Sequence, residues 1–249
     1  MQSIFSLLVV SSIWISFIGA LCPVLVCLVY DLPINPLHSL IAFLCTFAVY
    51  SRDKVSGSKE DLLNTPERAI LAHYPVKQLA MLAYGLAILL AIATNWHKLP
   101  SVLVFGAAGW LYVLSVRGVR PKDIPGIKNL IVAGACTICY AGLPGAGYSL
   151  IFLIILINTI LFDFRDIRGD AAAGVRTLPV LLGSSRTLFL LFLLDGILAL
   201  ISLPIAAYGG LMLAYFRKPR PNLAYDYLVD GWILVSVVLI YLSNLERLI

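Results

Sequence analysis

Eight apolar stretches, each close to the ~20 residues an α-helix needs to cross a hydrocarbon layer, follow one another along this chain and leave little of it for anything else. They fall near residues 5–29, 34–50, 77–95, 101–116, 128–147, 149–164, 186–208 and 226–243. Inside a bilayer every backbone N–H and C=O must be paired without water, so only helices and closed barrels survive there. Stretches of this length, without the alternation of a barrel strand, predict helices. A hydrophobic fraction of 61%, a charged fraction of 12% and a mean hydropathy of +0.96 exclude a soluble globular domain. The expected fold is therefore all-α, a polytopic transmembrane helix bundle forming one domain over residues 1–249. Eight is the helix count, or nine if residues 203–223, with Pro204, Gly209, Gly210, Pro219 and Pro221, hide a broken helix. A ninth helix would reverse the parity of all that follows it.

The net charge of +5 does not point to nucleic acid, because the bases lie in short loops and form no basic domain. With eight spans, the loops after the second, fourth and sixth, together with the C-terminal tail, carry 14 of the 18 Lys and Arg. The excess of bases on cytoplasmic loops then predicts that these loops and both termini are cytoplasmic. The first apolar stretch has no basic leader and no small-residue cleavage pattern around Ala20, Leu21 and Cys22, which predicts a retained anchor. Cys136 and Cys139 have the spacing of a metal or redox pair, but without a second pair or nearby histidines they read as small core residues.

The polar residues are gathered into three loops, 51–76, 117–127 and 165–185, all on one side of the bundle. That end is the expected active site. In the third loop Asp166 and Asp170 are four residues apart. If the helix before them continues, both carboxylates leave one face about 6 Å apart at Cβ. Two such acids beside arginines suit a Mg²⁺-diphosphate complex. Asp163 is either a further ligand or the partner of Arg165 or Arg168, and Asn158, two turns below Asp166, either faces the diphosphate or bonds a neighbouring helix. In the first loop Asp53, Gly57 and Asp61 share helical spacing, with Glu60 on an adjoining face, and Asn64 or Thr65 is placed to cap a short helix opened by Pro66. The middle loop is basic, and Lys122 and Lys128, with Arg176 of the third loop, suit phosphate oxygens better than a metal. Asp230, at the start of the last span, is an acid near membrane depth without an obvious partner.

In these loops the chain resembles the UbiA superfamily of intramembrane prenyltransferases, over about residues 5–245. That family carries a DxxxD motif after its sixth helix, which falls here on Asp166 and Asp170, followed by a Gly-x-basic-Ser/Thr signature on Gly174, Arg176 and Thr177. Its first motif, NxxxDxxxD, falls on Asp53, Gly57 and Asp61, so the central acid is missing, and Glu60 is the nearest substitute. The family's tyrosine and base after the fourth helix correspond loosely to Tyr112 and Arg117.

The resemblance implies transfer of a polyprenyl group from a prenyl diphosphate to an aromatic or lipid-phase acceptor, with Mg²⁺ as cofactor and membrane lipids around the site. Asp166, Asp170, Asp53 and Asp61, with Glu60, would hold metal; Lys122, Lys128, Arg176, Asn158 and Tyr112 would contact the diphosphate. Residues 1–51 contain no Lys or Arg, which disfavours an acceptor carrying an aromatic carboxylate. Tyr112, Tyr140, Phe162 and Trp110 either line a pocket for an allylic cation or form an interfacial belt. The altered first motif leaves two other outcomes open: a membrane terpene cyclase, which needs no acceptor, and a non-catalytic protein that binds prenyl lipids.

Overall fold

A computed structural model describes residues 4–55, 63–113, 124–141 and 146–246. After a short α1 (Ile4–Val10), the helices are α2 (Ile13–Val29), α3 (Pro36–Lys54), α4 (Val76–Thr94), α5 (Leu99–Val113), α6 (Ile127–Ala141) and α7 (Ala146–Ala173). A short α8 (Leu178–Leu182), α9 (Ser184–Ala199), α10 (Leu203–Tyr215) and α11 (Trp232–Glu246) follow. A 3-10 helix, Pro66–His73, precedes α4, and a π-turn, Tyr225–Val229, leads into α11. Among the described residues no strand occurs. Three continuous segments among the described residues are long and apolar enough to cross a bilayer, Val76–Thr94, Gly147–Ala173 and Asn222–Leu245, and the protein is an integral membrane protein.

Local chemistry sets the helix ends. Asn35 opens α3, its Oδ1 accepting from the backbone N–H of Leu37 at 3.0 Å and of His38 at 3.4 Å, with Pro36 at the first helical position where its missing N–H costs nothing. Gly174, at φ 75°, closes α7 in the left-handed conformation that a Cβ disfavours, and the Val175 N–H returns to the Asp170 carbonyl at 2.8 Å.

The helices pack as a ring, α2 against α3, α3 against α4 and α5, then α5–α6, α6–α7, α7–α9, α9–α10, α10–α11, and α11 back onto α2. α7 is the most enclosed of the three long spans, and Leu150, Ile151, Ile154, Ile157 and Leu161 are fully buried. By contrast α4 exposes Met81, Leu82 and Leu89, as a helix facing lipid should. Trp232 is buried against α10, its Nε1–H donating to the Ile205 carbonyl at 3.1 Å.

Residues 186–208, one span in the eight-helix count, are two helices, α9 and α10, separated by a break at Leu200–Ser202, and α10 is the extra helix expected within residues 203–223. Pro204 does not end a helix there; it sits in the first turn of α10, where proline is tolerated. Nine helices of thirteen residues or more are thus present among the described residues. The odd number separates the ends of the chain. Trp14 at the start of α2 lies beside Asp226, whereas Asn244 near the end of α11 donates to the Leu28 carbonyl, at 3.0 Å, at the other end of α2. The described ends of the chain therefore lie at opposite ends of the bundle.

Candidate functional site

The starts of α2 and α6, the ends of α3 and α7, and the π-turn meet at one end of the ring around a cavity of ≈ 270 Å³. Its polar wall includes Asp53 from α3, Lys128 from α6, Asp163, Asp166 and Asp170 from α7, and Asp226 and Asp230 from the last helix. Trp14, Ile15, Ile18, Phe105, Ile155 and Phe162 supply apolar wall deeper in the bundle. The cavity thus joins an ionic mouth to a dry interior, a shape suited to a molecule with a charged head and a hydrocarbon tail.

α7 remains helical through residue 173, so Asp163, Asp166 and Asp170 all project from its final turns. Their partners differ. Asp163 is 1% exposed; Lys128 Nζ lies 2.5 Å from its Oδ1 and Asn129 Nδ2 donates to its Oδ2 at 3.1 Å. It is thus paired across to α6, and neither Arg165 nor Arg168 is its partner in these contacts. Asp166 is gripped by Arg165, whose Nε donates to Oδ1 at 2.8 Å and whose Nη2 donates to Oδ2 at 3.0 Å. The same guanidinium reaches Asp226 Oδ1 through Nη1 at 3.1 Å and lies over the Phe162 ring. Asp170 accepts from Asn64 Nδ2 at 3.2 Å through Oδ1, while its Oδ2 is buried without a hydrogen-bond partner. A buried carboxylate oxygen left open beside other oxygen donors fits a hard divalent cation such as Mg²⁺.

Of the two cap candidates before Pro66, Thr65 holds the cap position, without a side-chain bond, and Asn64 turns to Asp170. Its carbonyl is fixed by Asn222 Nδ2 at 3.1 Å. Gly169 makes this approach possible, since a Cβ there would overlap the Asn64 side chain. The first-loop residues Gly57, Glu60 and Asp61 lie outside the described residues, as does Lys122 of the middle loop and the side chain of Tyr112. Among the described residues no three His, Cys, Asp or Glu side chains converge as a ready metal cage.

Other expectations need correction. Asn158 borders the cavity, but its Nδ2 donates to the Val229 carbonyl at 3.0 Å and so ties α7 to the last helix. That bond takes one of the two amide hydrogens it would offer a diphosphate. Arg176 is exposed and is not part of the cavity wall; the tight turn at Gly174 carries it away. Of the aromatic candidates, Phe162 lines the cavity, whereas Tyr140 is buried with its hydroxyl 2.7 Å from Thr46 Oγ1 and Trp110 is half exposed beneath the Arg52 guanidinium. Cys136 and Cys139 are free and buried.

Asp226 was not singled out from the sequence, although Asp226 and Asp230 repeat the four-residue spacing of Asp166 and Asp170. The backbone under them is held by Trp14, whose Nε1–H donates to the Asp226 carbonyl at 2.7 Å, and the Gly231 N–H bonds Tyr227 O. Lys54 closes this side. It lies beyond the apolar stretch 34–50 and donates to the Val9 carbonyl, and burial pushes its ammonium down to about 7, helped by Arg68 and opposed by Asp226 and Asp230.

Fold and cavity together define a polytopic helical membrane protein with a cavity walled by acids and bases at one end. Residues 31–217 match the model of the UbiA prenyltransferase family, and the chain belongs to that family. It is 32% identical over 198 residues to a digeranylgeranylglyceryl phosphate synthase of Thermococcus sibiricus, covering 72% of this chain and 68% of that protein. A digeranylgeranylglyceryl phosphate synthase of Halobacterium salinarum is 35% identical over 137 residues, 51% of this chain and about half, 49%, of that protein. The fold is similar to that of a UbiA homolog from Archaeoglobus fulgidus bound to GPP and Mg²⁺, with a TM-score of 0.64 at 18% identity, covering 94% of this chain and 97% of that one. The protein is a prenyltransferase, transferring a prenyl group from a prenyl diphosphate.

Proposed function

We propose that the acceptor is a lipid-phase glyceryl phosphate carrying a prenyl chain, and that transfer takes place at the mouth formed by α3, α7 and the last helix. The observation that carries this reading is the buried, unpartnered Oδ2 of Asp170, beside Asp166 and across the cavity from Asp53. Asp166, Asp170, Asp53 and Asp61, with Glu60 in place of the acid missing at Gly57, would hold Mg²⁺. When bound, the metal neutralises the diphosphate so that it can leave with both electrons of the breaking C–O bond. Lys128 sits at the rim of the same mouth, one-fifth exposed, where an ammonium can share Asp163 with a phosphate oxygen. Lys122 would add a second positive charge.

The allylic cation left behind is protected by the apolar wall. Phe162 and Phe105 offer π faces, and the enclosed interior keeps water from the cation. The names of the relatives, which make a digeranylgeranylglyceryl phosphate, support a long isoprenoid donor and a lipid acceptor. The absence of Lys and Arg from residues 1–51 agrees with an acceptor that is not an aromatic acid. The ionic end would face the cytoplasm. The ninth helix strengthens this orientation, because it moves Arg217, Lys218 and Arg220 to that end and leaves Lys98 at the other.

The test is product analysis. Purified protein supplied with geranylgeranyl diphosphate, Mg²⁺ and a geranylgeranylated glyceryl phosphate is expected to yield, by mass spectrometry, an ether lipid heavier by one geranylgeranyl group. A cyclic hydrocarbon or alcohol formed without acceptor would replace this reading by that of a cyclase.

A further inference from the structure

Arg165 presents an electrostatic problem. Its side chain is 8% exposed, and its guanidinium occupies both oxygens of Asp166, a residue that the proposed function gives to a metal. Cation and guanidinium compete for one carboxylate. A buried guanidinium that loses its partner is left as an uncompensated charge, which is strongly destabilising in a site of low dielectric. Metal binding is therefore feasible only if Arg165 keeps another anion when Asp166 turns away.

Asp226 is placed for that role. It already accepts from Arg165 Nη1 at 3.1 Å, it projects from the last helix rather than from α7, and its backbone is pinned by Trp14 Nε1 at 2.7 Å. The remaining charged groups facing it are Lys54, Arg68, Glu67 and Asp230. A guanidinium has five N–H donors in a rigid fork, so it can release one carboxylate and retain the other without leaving its seat over Phe162.

We propose that Arg165 and Asp226 form a counter-ion exchange: Asp226 keeps the Arg165 guanidinium paired while Asp166 is handed to the divalent cation. Arg165 and Asp226 are thus positioning residues for the metal, and neither is a metal ligand. The proposal rests on the reading of Asp166 as a ligand.

The experiment measures Mn²⁺ binding to the detergent-solubilised full chain by electron paramagnetic resonance, without substrate, in the wild type, Asp226→Asn, Asp226→Glu, Arg165→Met, the Arg165→Met/Asp226→Asn double variant and Asp166→Asn. With Asp226→Asn, Arg165 holds Asp166 as its remaining carboxylate at this contact, so Mn²⁺ affinity is expected to fall by about fivefold or more, the size of a coupling of about 1 kcal/mol. Asp226→Glu is expected to restore most of it. Arg165→Met is expected to tighten binding, and in that background Asp226→Asn is expected to have no further effect. A purely structural contact would lower thermal stability without producing opposite signs at the two positions. Unchanged affinity in Asp226→Asn, or an equal loss in the Arg165→Met background, would overturn the exchange. Mn²⁺ binding that survives intact in Asp166→Asn would instead overturn the ligand assignment beneath it.

Discussion

Replacing Lys128 with Met separates the ion pair that the structure gives this side chain from the diphosphate contact proposed for it. Lys128 Nζ lies 2.5 Å from Asp163 Oδ1, and the side chains are 20% and 2% exposed. Removing one member of a fully buried ion pair costs about 3–5 kcal/mol, because the other charge stays behind in a low-dielectric place. Here Lys128 is one-fifth exposed and Asp163 keeps the Asn129 amide at 3.1 Å, so the cost falls just below that scale, to about 2–3 kcal/mol. For a chain of this size that corresponds to a fall in melting temperature of roughly 5–10 °C. Neutralising the partner as well, in Lys128→Met/Asp163→Asn, removes the stranded charge and is expected to restore most of the lost stability. Activity is expected to follow a different course. Lys128 also faces the diphosphate mouth, so prenyl transfer stays low in the double variant even though the protein is again stable. Thermal melting in detergent, followed by intrinsic fluorescence, together with turnover of prenyl diphosphate at saturating donor, reads both effects. A Lys128→Met protein that melts with the wild type, or a double variant no more stable than the single one, would refute the ion-pair argument. Full recovery of turnover in the double variant would remove Lys128 from the diphosphate site.

Gly169→Ala places a methyl group where the Asn64 side chain lies and forces it off Asp170. Losing a hydrogen bond to a charged group costs about 1.5–3 kcal/mol, so kcat/KM is expected to fall roughly ten- to hundredfold, and wild-type kinetics would show that Asn64 does not orient Asp170. Between pH 7 and about 10 the folded protein holds fewer protons at Lys54 than the unfolded chain, whose lysine titrates near ~10.4, so this group makes stability rise with pH across that window. Lys54→Met should flatten the rise, and an unchanged slope in chemical denaturation would contradict the burial argument. Asp195 of α9 is buried beside Gly209 and Trp232, with Oδ1 unpartnered. Asp195→Asn removes the charge and is expected to stabilise the protein by about 1 kcal/mol, whereas a lower melting temperature would show that the carboxylate has a structural partner.

Apolar stretches of membrane-crossing length announce the helices because lipid permits little else, and α7 with its acids follows from the same pattern. The break at Leu200–Ser202 is harder to read. Residues 186–208 are mostly apolar, and apolarity alone does not distinguish a helix that continues from one that turns back within it. Pro204 and the glycines after it point to the extra helix in 203–223, but they do not fix its start, since proline in a first turn is as acceptable as in a loop. The DxxxD acids are legible because i and i+4 share a helical face whatever surrounds them. Their partners are not, because those are set by contacts between distant elements: Asn64 with Asp170 and Lys128 with Asp163 are 106 and 35 residues apart. The surroundings of Asn158 and Arg176 are hidden for the same reason. Local spacing places Asn158 on the right face, but a carbonyl of another helix claims its amide, and the turn at Gly174 decides where Arg176 goes. Asp226 and Asp230 did carry a local signal, the same four-residue spacing within an apolar span, and it becomes meaningful once the last helix is seen to border α7.

On the proposed assignment prenyl transfer depends on the carboxylates at the end of α7, and release of diphosphate reads that dependence. With geranylgeranyl diphosphate, a prenylated glyceryl phosphate acceptor and Mg²⁺, the wild type is expected to release diphosphate in step with product. Asp166→Asn and Asp170→Asn, each shown to be folded by its melting transition, are expected to release none above background, as is the wild type in excess chelator. Turnover at the wild-type rate in both variants would contradict the assignment of this site.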